Sequence, residues 1–341
     1  MSSNVTIYDV AQAAGVSAAT VSRVMNEPSK VAPEKRQAVL DAIKRLKFVP
    51  KADAVINARK SYRKVGVVAP FFTQPSFMER LRGISSVLYS ESYELVIDSI
   101  DTEEDLEGYI SSLVSANRVD GLIFMCIRLK EKVLKLLRQS GIPSCFVEDD
   151  VEGFDCVVVK NLEGGMKAAE YLWNLGCRNP GFIGEEADRE YAVGAMDDRL
   201  RGYRFAFAEH GIMPDEGNFW IGQFKKEEID CGIEKVLSQD PLPDCIFCSS
   251  DLIAARVMMR AQERGIKIPG QMKVLGFDNI DIASYIELSS VDQKLDESGR
   301  LAAQMLLERI SDREKSGSKN SYLELEIVRR GSTEMNGGIH V

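Results

Sequence analysis

Apolar residues recur at two different periods along the chain, and the change of period near residue 64 divides it. The opening stretch is helical in spacing: Val5, Ile7, Val10, Ala11 and Ala14 share one face, Thr6 stands as N-cap, and Asp9 is its capping-box partner. Gly15 breaks this run after two turns. Ser17 caps a second short helix containing Thr20, Val21 and Val24, which Asn26 and Pro28 end. A third helix starts near Pro33, with Val39, Ile43 and Leu46 as its apolar stripe. Two short helices about a glycine turn, closed by a third, predict a helix-turn-helix.

Beyond residue 64, short apolar runs of strand type alternate with helical patterns. KVGVVAP precedes a helix over 78–88, YELVIDS one over 103–114, and GLIFMC one over 130–137, before PSCFVED. A second series runs CVVVK, 162–175, PGFIGE, 200–209, NFWIGQ, 227–237, CIFCSS, 252–263 and MKVLGFD. This alternation predicts two α/β lobes on parallel sheets, joined near 158–162. IELSSVDQ and a helix over 296–310 imply that the chain crosses back between lobes. A polar loop at 311–321 precedes the strand-like YLELEIVRR, and residues 331–341 read as a short polar tail without a leucine heptad.

Charge sharpens the division. The first 64 residues hold 12 Lys/Arg against 5 Asp/Glu, the remaining 277 hold 31 against 47, and the overall −9 describes neither part. A compact basic head suits phosphate contacts, whereas the acidic remainder would be repelled by DNA. Ala18, Ala19, Ser22 and Arg23 occupy the first turns of the second helix, the part that enters a major groove in this motif. Arg23 can bond a guanine edge or clamp a phosphate, Ser22 and Thr20 suit phosphates, and the two alanines permit close approach. A plain solvated helical bundle is the alternative.

The string TIYDVAQAAGVSAATVSRVMN, together with VAPEKRQAVLDAIKRLKFVP at 31–50, closely resembles the head of the LacI/GalR family of transcriptional regulators. The resemblance implies a dimer reading a pseudo-palindromic operator in double-stranded DNA. By position it places Thr6, Ser17, Ala18, Ala19, Thr20, Ser22, Arg23 and Asn26 at the DNA. The family continues with a hinge helix that inserts a leucine into the minor groove. Here the hinge reads PKADAVINARKS: Pro50 and Ala54 match, Lys51 replaces an asparagine, and Asn57 stands where the leucine is expected. Asn57 can bond base edges but should wedge poorly, and Ile56 lies roughly 100° away around a helix. An ordinary linker is the alternative reading of 50–64.

Weaker strings in the family's order extend the resemblance over roughly residues 4–330: VGVVAPFFTQPSF, VDGLIF, NLEGGMKAAEYLWNLG, DRLRGYRFAFAEHGI and VLGFDNIDIASY. It implies a helix-turn-helix head at 1–49, a hinge at 50–64, and a two-lobed periplasmic-binding-protein-like core at 65–330. The lobes would span about 65–160 and 161–288. Ligands of such lobes bind at strand carboxyl ends. The loop PFFTQPSF offers Phe71, Phe72 and Phe77 for stacking on a sugar ring and Gln74 for its hydroxyls. By family position Arg199, Phe224, Ser250, Asp251 and Asp278 join them; each also has a plain surface or structural reading. Two departures, Lys160 for an aspartate and Arg256 for a glycine, suggest an anionic effector such as a sugar acid or sugar phosphate, with Lys160 in the site.

No catalytic constellation appears, so an enzyme is not expected, nor is any cofactor. Seven cysteines are scattered through the core; Cys245 and Cys248 have CxxC spacing, but strand alternation puts their thiols on opposite faces. With only His210 and His340 as histidines, no metal site is expected. The absence of a long apolar run argues against membrane spanning and favours a cytoplasmic location. The expected function is a repressor of carbohydrate-related genes tuned by a small sugar-derived effector. A core answering to a corepressor or protein partner is the alternative, and a solute-binding protein or enzyme of the same fold fits less well.

Overall fold

The computed structural model describes residues 6–26, 31–46, 62–70, 74–99, 106–110, 119–186, 192–223, 225–312 and 317–334. Internal contacts divide the chain into a head unit running to Lys64 with Arg118–Asp120, and a core unit holding the rest.

In the head, helix α1 (Ile7–Ala14) begins at Thr6, whose Oγ1 accepts the Asp9 N–H at 3.4 Å while the Asp9 carboxylate accepts the Thr6 N–H at 2.7 Å. This reciprocal cap satisfies two otherwise orphaned donors. Gly15 ends the helix at φ 64°, left-handed backbone that a glycine adopts without steric cost. Helix α2 (Ala18–Asn26) follows Ser17, whose Oγ accepts the Thr20 N–H at 3.2 Å, and α3 (Pro33–Leu46) packs across both. Val10, Val21, Val24 and Val39 are buried at their junction. At about 1.5–3 kcal/mol per buried side chain, these four valines hold together helices too short to persist alone.

The core unit carries two six-stranded sheets. The first joins β1 (Lys64–Ala69), β2 (Glu94–Ser99), β3 (Gly121–Met125), β4 (Ser144–Val147), β5 (Asp155–Val158) and β11 (Asn320–Tyr322) in the order β11-β5-β4-β3-β1-β2. The second joins β6 (Pro180–Glu185), β7 (Phe219–Gly222), β8 (Cys245–Cys248), β9 (Lys273–Asp278), β10 (Ser289–Asp292) and β12 (Glu326–Val328) in the order β12-β10-β9-β8-β6-β7. Pairing is parallel from β6 to β10, and β12 adds antiparallel to β10. Every residue of β3, β4 and β8 is buried, which is why these strands read as unbroken apolar runs.

One helix pair in each lobe crosses at glycine contacts. In the first lobe, α4 (Pro75–Ser90) meets α11 (Leu295–Ser311), the returning helix foreseen over 296–310; a Cβ on Gly83 would lie 2.1 Å from the Asp296 carbonyl oxygen. In the second, α6 (Asn161–Asn174) meets α7 (Ala195–Glu209), and a Cβ on Gly165 would lie 1.9 Å from the Arg199 carbonyl oxygen. These close approaches fix the two helices that carry Arg80 and Arg199. Helices α5 (Glu131–Ser140), α8 (Lys226–Leu237), α9 (Asp251–Glu263) and the short α10 (Asp281–Tyr285) complete the layers. Of the helix expected over 103–114, residues 106–110 are described and are helical.

Two expectations need correction. The strand-like run YLELEIVRR does not form one strand: it breaks at 323–325, sending β11 to the first sheet and β12 to the second. Leu323 packs against the first lobe's apolar core and Leu325 is buried in the second's, so the break follows from the run serving two cores. The start of the supposed polar tail is also no tail. Ser332 and Thr333 are buried: the Ser332 hydroxyl donates to the Val274 carbonyl at 2.6 Å, and Thr333 shares a 2.6 Å hydroxyl contact with Ser289. Their polarity closes strand-end hydrogen bonds rather than facing water. Residues 335–341 lie outside the described residues.

Candidate functional site

Helix α2 keeps its apolar side, Val21 and Val24, in the head core and turns Ala19 and Arg23 outward. Ser17 and Thr6 are exposed, Thr20 and Ser22 are partly exposed, and Ala18 is half-buried against the head core. Of the two alanines expected to approach bases, Ala19 is therefore the open one. Thr6 and Ser17 double as helix caps, which fixes their hydroxyls. Tyr8, which the apolar pattern passes over, is an exposed aromatic on α1. The Asn26 side chain and the hinge residues Ile56 and Asn57 lie outside the described residues.

In the core, a cavity of about 360 Å³ opens where both sheets end. Pro70 and Gln74 follow β1, Cys126 follows β3, Glu148 follows β4, Glu185 closes β6, Ser250 follows β8, Asp278 closes β9 and Gln293 follows β10. All of these are carboxyl ends, where α/β sheets place ligands. Cys126, Glu148 and Asp278 each hold positive φ (56°, 82° and 114°), strained backbone gathered around one cavity. The lobes touch here through the Val193 N–H, which donates to the Cys126 carbonyl at 3.1 Å.

Two buried arginines organise the polar walls. Arg80, 2% exposed on α4, donates to Glu148 at 3.3 and 3.4 Å, to Gln293 at 2.8 Å and to Ser298 at 3.3 Å. Arg199, 7% exposed on α7, donates to Asn161 at 2.8 Å and to the Ser249 carbonyl at 2.7 Å; its guanidinium lies over the Phe277 ring at 3.7 Å. It also stands 3.6 Å from Glu148 and 4.0 Å from Asp278. Glu148, from the first lobe, thus faces cations from both.

Each carboxylate settles differently. Burial pushes the Glu148 pKa up, but Arg80 and then Arg199 outweigh it and hold it below the ordinary value. Burial raises Asp278 to about 7 despite Arg199, Arg80 and the hydrogen bond from Gln293. Burial also raises Glu185, which accepts the Ser249 hydroxyl at 2.6 Å. The lining holds Arg80 and Arg199 against Glu148, Glu185, Glu186, Asp197 and Asp278, so acidic groups outnumber basic ones.

Several predicted effector residues are brought together: Gln74, Phe77, Arg199, Ser250 and Asp278 all line the cavity. Phe72 and Phe224 lie outside the described residues, as does Phe71. Three others are not in the lining. Lys160 is exposed at the start of α6 and pairs with Glu163 at 2.8 Å. Arg256 pairs with Asp230 at 2.5 Å on the outer side of α9. Asp251 is fully buried, accepting the Ile280 N–H at 2.8 Å and the Ser290 hydroxyl at 2.5 Å, so it clamps the turn after β9. The two cations behind the expectation of an anionic effector therefore satisfy protein carboxylates elsewhere.

Sequence reasoning missed Arg80, Cys126, Glu148, Glu185 and Gln293. For Arg80 a signal exists: it sits three residues after Phe77 and four before Ile84, a charge on the apolar face of its helix. Glu148 and Glu185 each end an apolar strand run, the place where an α/β lobe presents a ligand group. Gln293 carries no local signal.

Residues 6–51 match the model described as bacterial regulatory proteins, lacI family, and residues 169–333 match a periplasmic binding protein-like domain. Catabolite control protein A of Staphylococcus epidermidis is 32% identical over 337 residues, covering 97% of this chain and 99% of the relative. The HTH-type transcriptional repressor PurR of Vibrio cholerae is 30% identical over 334 residues, covering 96% and 98%. Among solved structures, a LacI-family transcriptional regulator from Silicibacter pomeroyi superposes with a TM-score of 0.81 at 27% identity, covering 97% of this chain and 99% of its own. The regulator CelR in complex with cellobiose superposes at 0.69 with 26% identity, covering 96% and 99%. The capped helix-turn-helix, the two-sheet core and relatives matched over nearly their whole length agree: the chain belongs to the lacI family of bacterial regulatory proteins and is a DNA-binding transcriptional repressor, not an enzyme.

Proposed function

We propose that the chain acts as a dimer on a two-fold symmetric operator, with α2 in the major groove and Ala19 and Arg23 at base edges or phosphates. Thr6, Ser17, Thr20, Ser22 and Tyr8 supply hydroxyls for the backbone. Exposed Met78, Tyr89, Met259 and Tyr285 on the core give a second copy apolar surface to cover. A small effector enters the core cavity and sets operator affinity.

The observation that carries the effector's chemistry is the ownership of the two guanidiniums. Both already donate to protein acceptors, and carboxylates outnumber them in the lining. A carboxylate or phosphate ligand would meet that surplus with no uncommitted cation in the described lining. A neutral polyhydroxy compound fits: its hydroxyls can donate to Asp278 and Glu185 and accept from Arg199, while Phe77 offers an apolar face. The complex of the similar CelR with cellobiose supports a carbohydrate. Because Glu148 and Arg199 face one another from opposite lobes, a ligand inserted between them changes the lobe angle.

Footprinting of genomic fragments selected on the purified chain tests the first part; protected sites with two-fold symmetry are expected, and only sequence-blind, salt-sensitive binding would refute it. A thermal-shift panel of neutral sugars beside their phosphates and acids tests the second. Stabilisation by a neutral sugar, lost in Asp278→Ala, is expected; a hit confined to the acids or phosphates overturns it. Any hit is then added to the footprint to read its effect on operator binding.

A further inference from the structure

At the amino ends of the second sheet, roughly 15 Å along the strands from the effector cavity, three potential ligands converge. The thiols of Cys177 and Cys245 and a carboxylate oxygen of Asp244 all lie within 4.8 Å of one another. Cys245 opens β8 and Cys177 lies just before β6, its neighbour in the sheet. Cys245 has CxxC spacing to Cys248, but, as strand alternation predicts, those thiols face different apolar clusters. Its true neighbour is 68 positions earlier in sequence.

The carboxylate is half used. Asp244 Oδ2 accepts the Arg178 N–H at 2.6 Å, whereas its Oδ1 is buried without a hydrogen-bond partner. A buried acceptor left unpaired is costly, and a cation answers it directly. Both cysteines are almost completely buried, and neither is in a disulfide. The Tyr203 hydroxyl stands 3.8 Å from Cys245 Sγ, within reach to support a ligated sulfur.

We propose that Cys177, Cys245 and Asp244 bind one thiophilic divalent cation of the zinc class, which ties the segment entering β6 to the start of β8. Thiolate sulfur and carboxylate oxygen are both zinc ligands, and a water would complete the tetrahedron. In such a site two sulfurs stand about 3.8 Å apart, a spacing consistent with the observed cluster. Loading releases the thiol protons to solvent and requires no oxidant. The role is structural, since the sheet's other end carries the effector.

The test uses the full-length protein, reduced and stripped of metal, titrated with zinc and separately with cobalt as a spectroscopic probe. One equivalent of zinc is expected to bind and raise the Tm; cobalt is expected to give a thiolate charge-transfer band with tetrahedral ligand-field bands. Cys177→Ala and Asp244→Asn should each weaken zinc binding by more than the roughly 10–100-fold that loss of a supporting hydrogen bond costs. Cys231→Ser, which alters the exposed cysteine, should leave both readouts unchanged. No cobalt–thiolate band, unchanged zinc affinity in Cys177→Ala, or loading abolished by Cys231→Ser would each overturn the proposal. So would a Cys177–Cys245 disulfide formed on oxidation in a protein that binds no zinc when reduced.

Discussion

Arg23 of the head and Arg80 of the core are both arginines on helices, in surroundings of opposite character. Arg23 projects from a short helix whose apolar partners among the described residues lie within residues 7–46, and it is exposed. Arg80 is 2% exposed and bonded to Glu148, 68 positions away, and to Gln293, 213 positions away. The exposed arginine is available to a phosphate or a base and contributes little to folding. The buried one is neutralised by its surroundings and matters first to the fold. Charge of one sign is thus left available for recognition where it is exposed and serves cohesion where it is buried.

The strongest way to break that contrast is to remove Arg80. Arg80→Ala leaves Glu148 and Gln293 buried without their main donor and should destabilise the core by about 3–5 kcal/mol. Chemical denaturation of the full chain measures it. A cost below about 1 kcal/mol would mean that water reaches Glu148 and that the pair behaves as a surface bridge. Arg23→Ala should do the reverse. Stability should change by less than about 0.5 kcal/mol, while operator affinity falls by about 1–3 kcal/mol, roughly 5- to 150-fold. Titration of a footprinted duplex at fixed salt reads this directly, and unaltered affinity would remove Arg23 from the interface.

The same contrast explains what was legible. The head could be read nearly whole because its signals are local: the Thr6–Asp9 cap, the Gly15 turn and the valine stripes each span a few residues. The lobes could be read because buried parallel strands are unbroken apolar runs, as β3 and β8 show. The cavity was legible only in part. Arg199 and Asp278, named from the sequence, do line the cavity, but Arg80, Glu148 and Gln293 acquire their meaning only when the sheet order brings residues 80, 148 and 293 together. Lys160 and Arg256 misled because a residue's charge is visible in sequence while its nearest carboxylate, Glu163 or Asp230, is not identifiable as its partner.

A pH experiment sharpens the picture inside the cavity. Folded Asp278 holds its proton to about 7, whereas its ordinary value is 3.8. Between these two values the folded state binds the proton and the unfolded state does not, so this group's contribution to stability falls as pH rises through the window. Asp278→Asn has no such proton, while Arg199, Arg80, Glu185 and Asp251 still face the position. The Tm of the parent relative to the variant should therefore decline between about pH 4 and pH 7 and level off above that. A difference that stays level would mean that Asp278 is ionised throughout.

The smallest expected effect is the most pointed. Lys160→Ala removes the ammonium that the sequence alone would place beside an acidic effector. In the structure that ammonium is 2.8 Å from Glu163, 43% exposed, and absent from the cavity lining. An exposed bridge between neighbouring turns of a helix is worth about 0.3–0.5 kcal/mol at most. Effector affinity, measured by calorimetry on whichever neutral sugar stabilises the protein, should therefore change less than twofold. Arg199→Ala in the same assay should lose most of the binding, because Arg199 lines the cavity and Lys160 does not. If Lys160→Ala instead weakens binding tenfold or more, the residue must leave Glu163 and reach the ligand, and the preference for a neutral effector would give way to an anionic one.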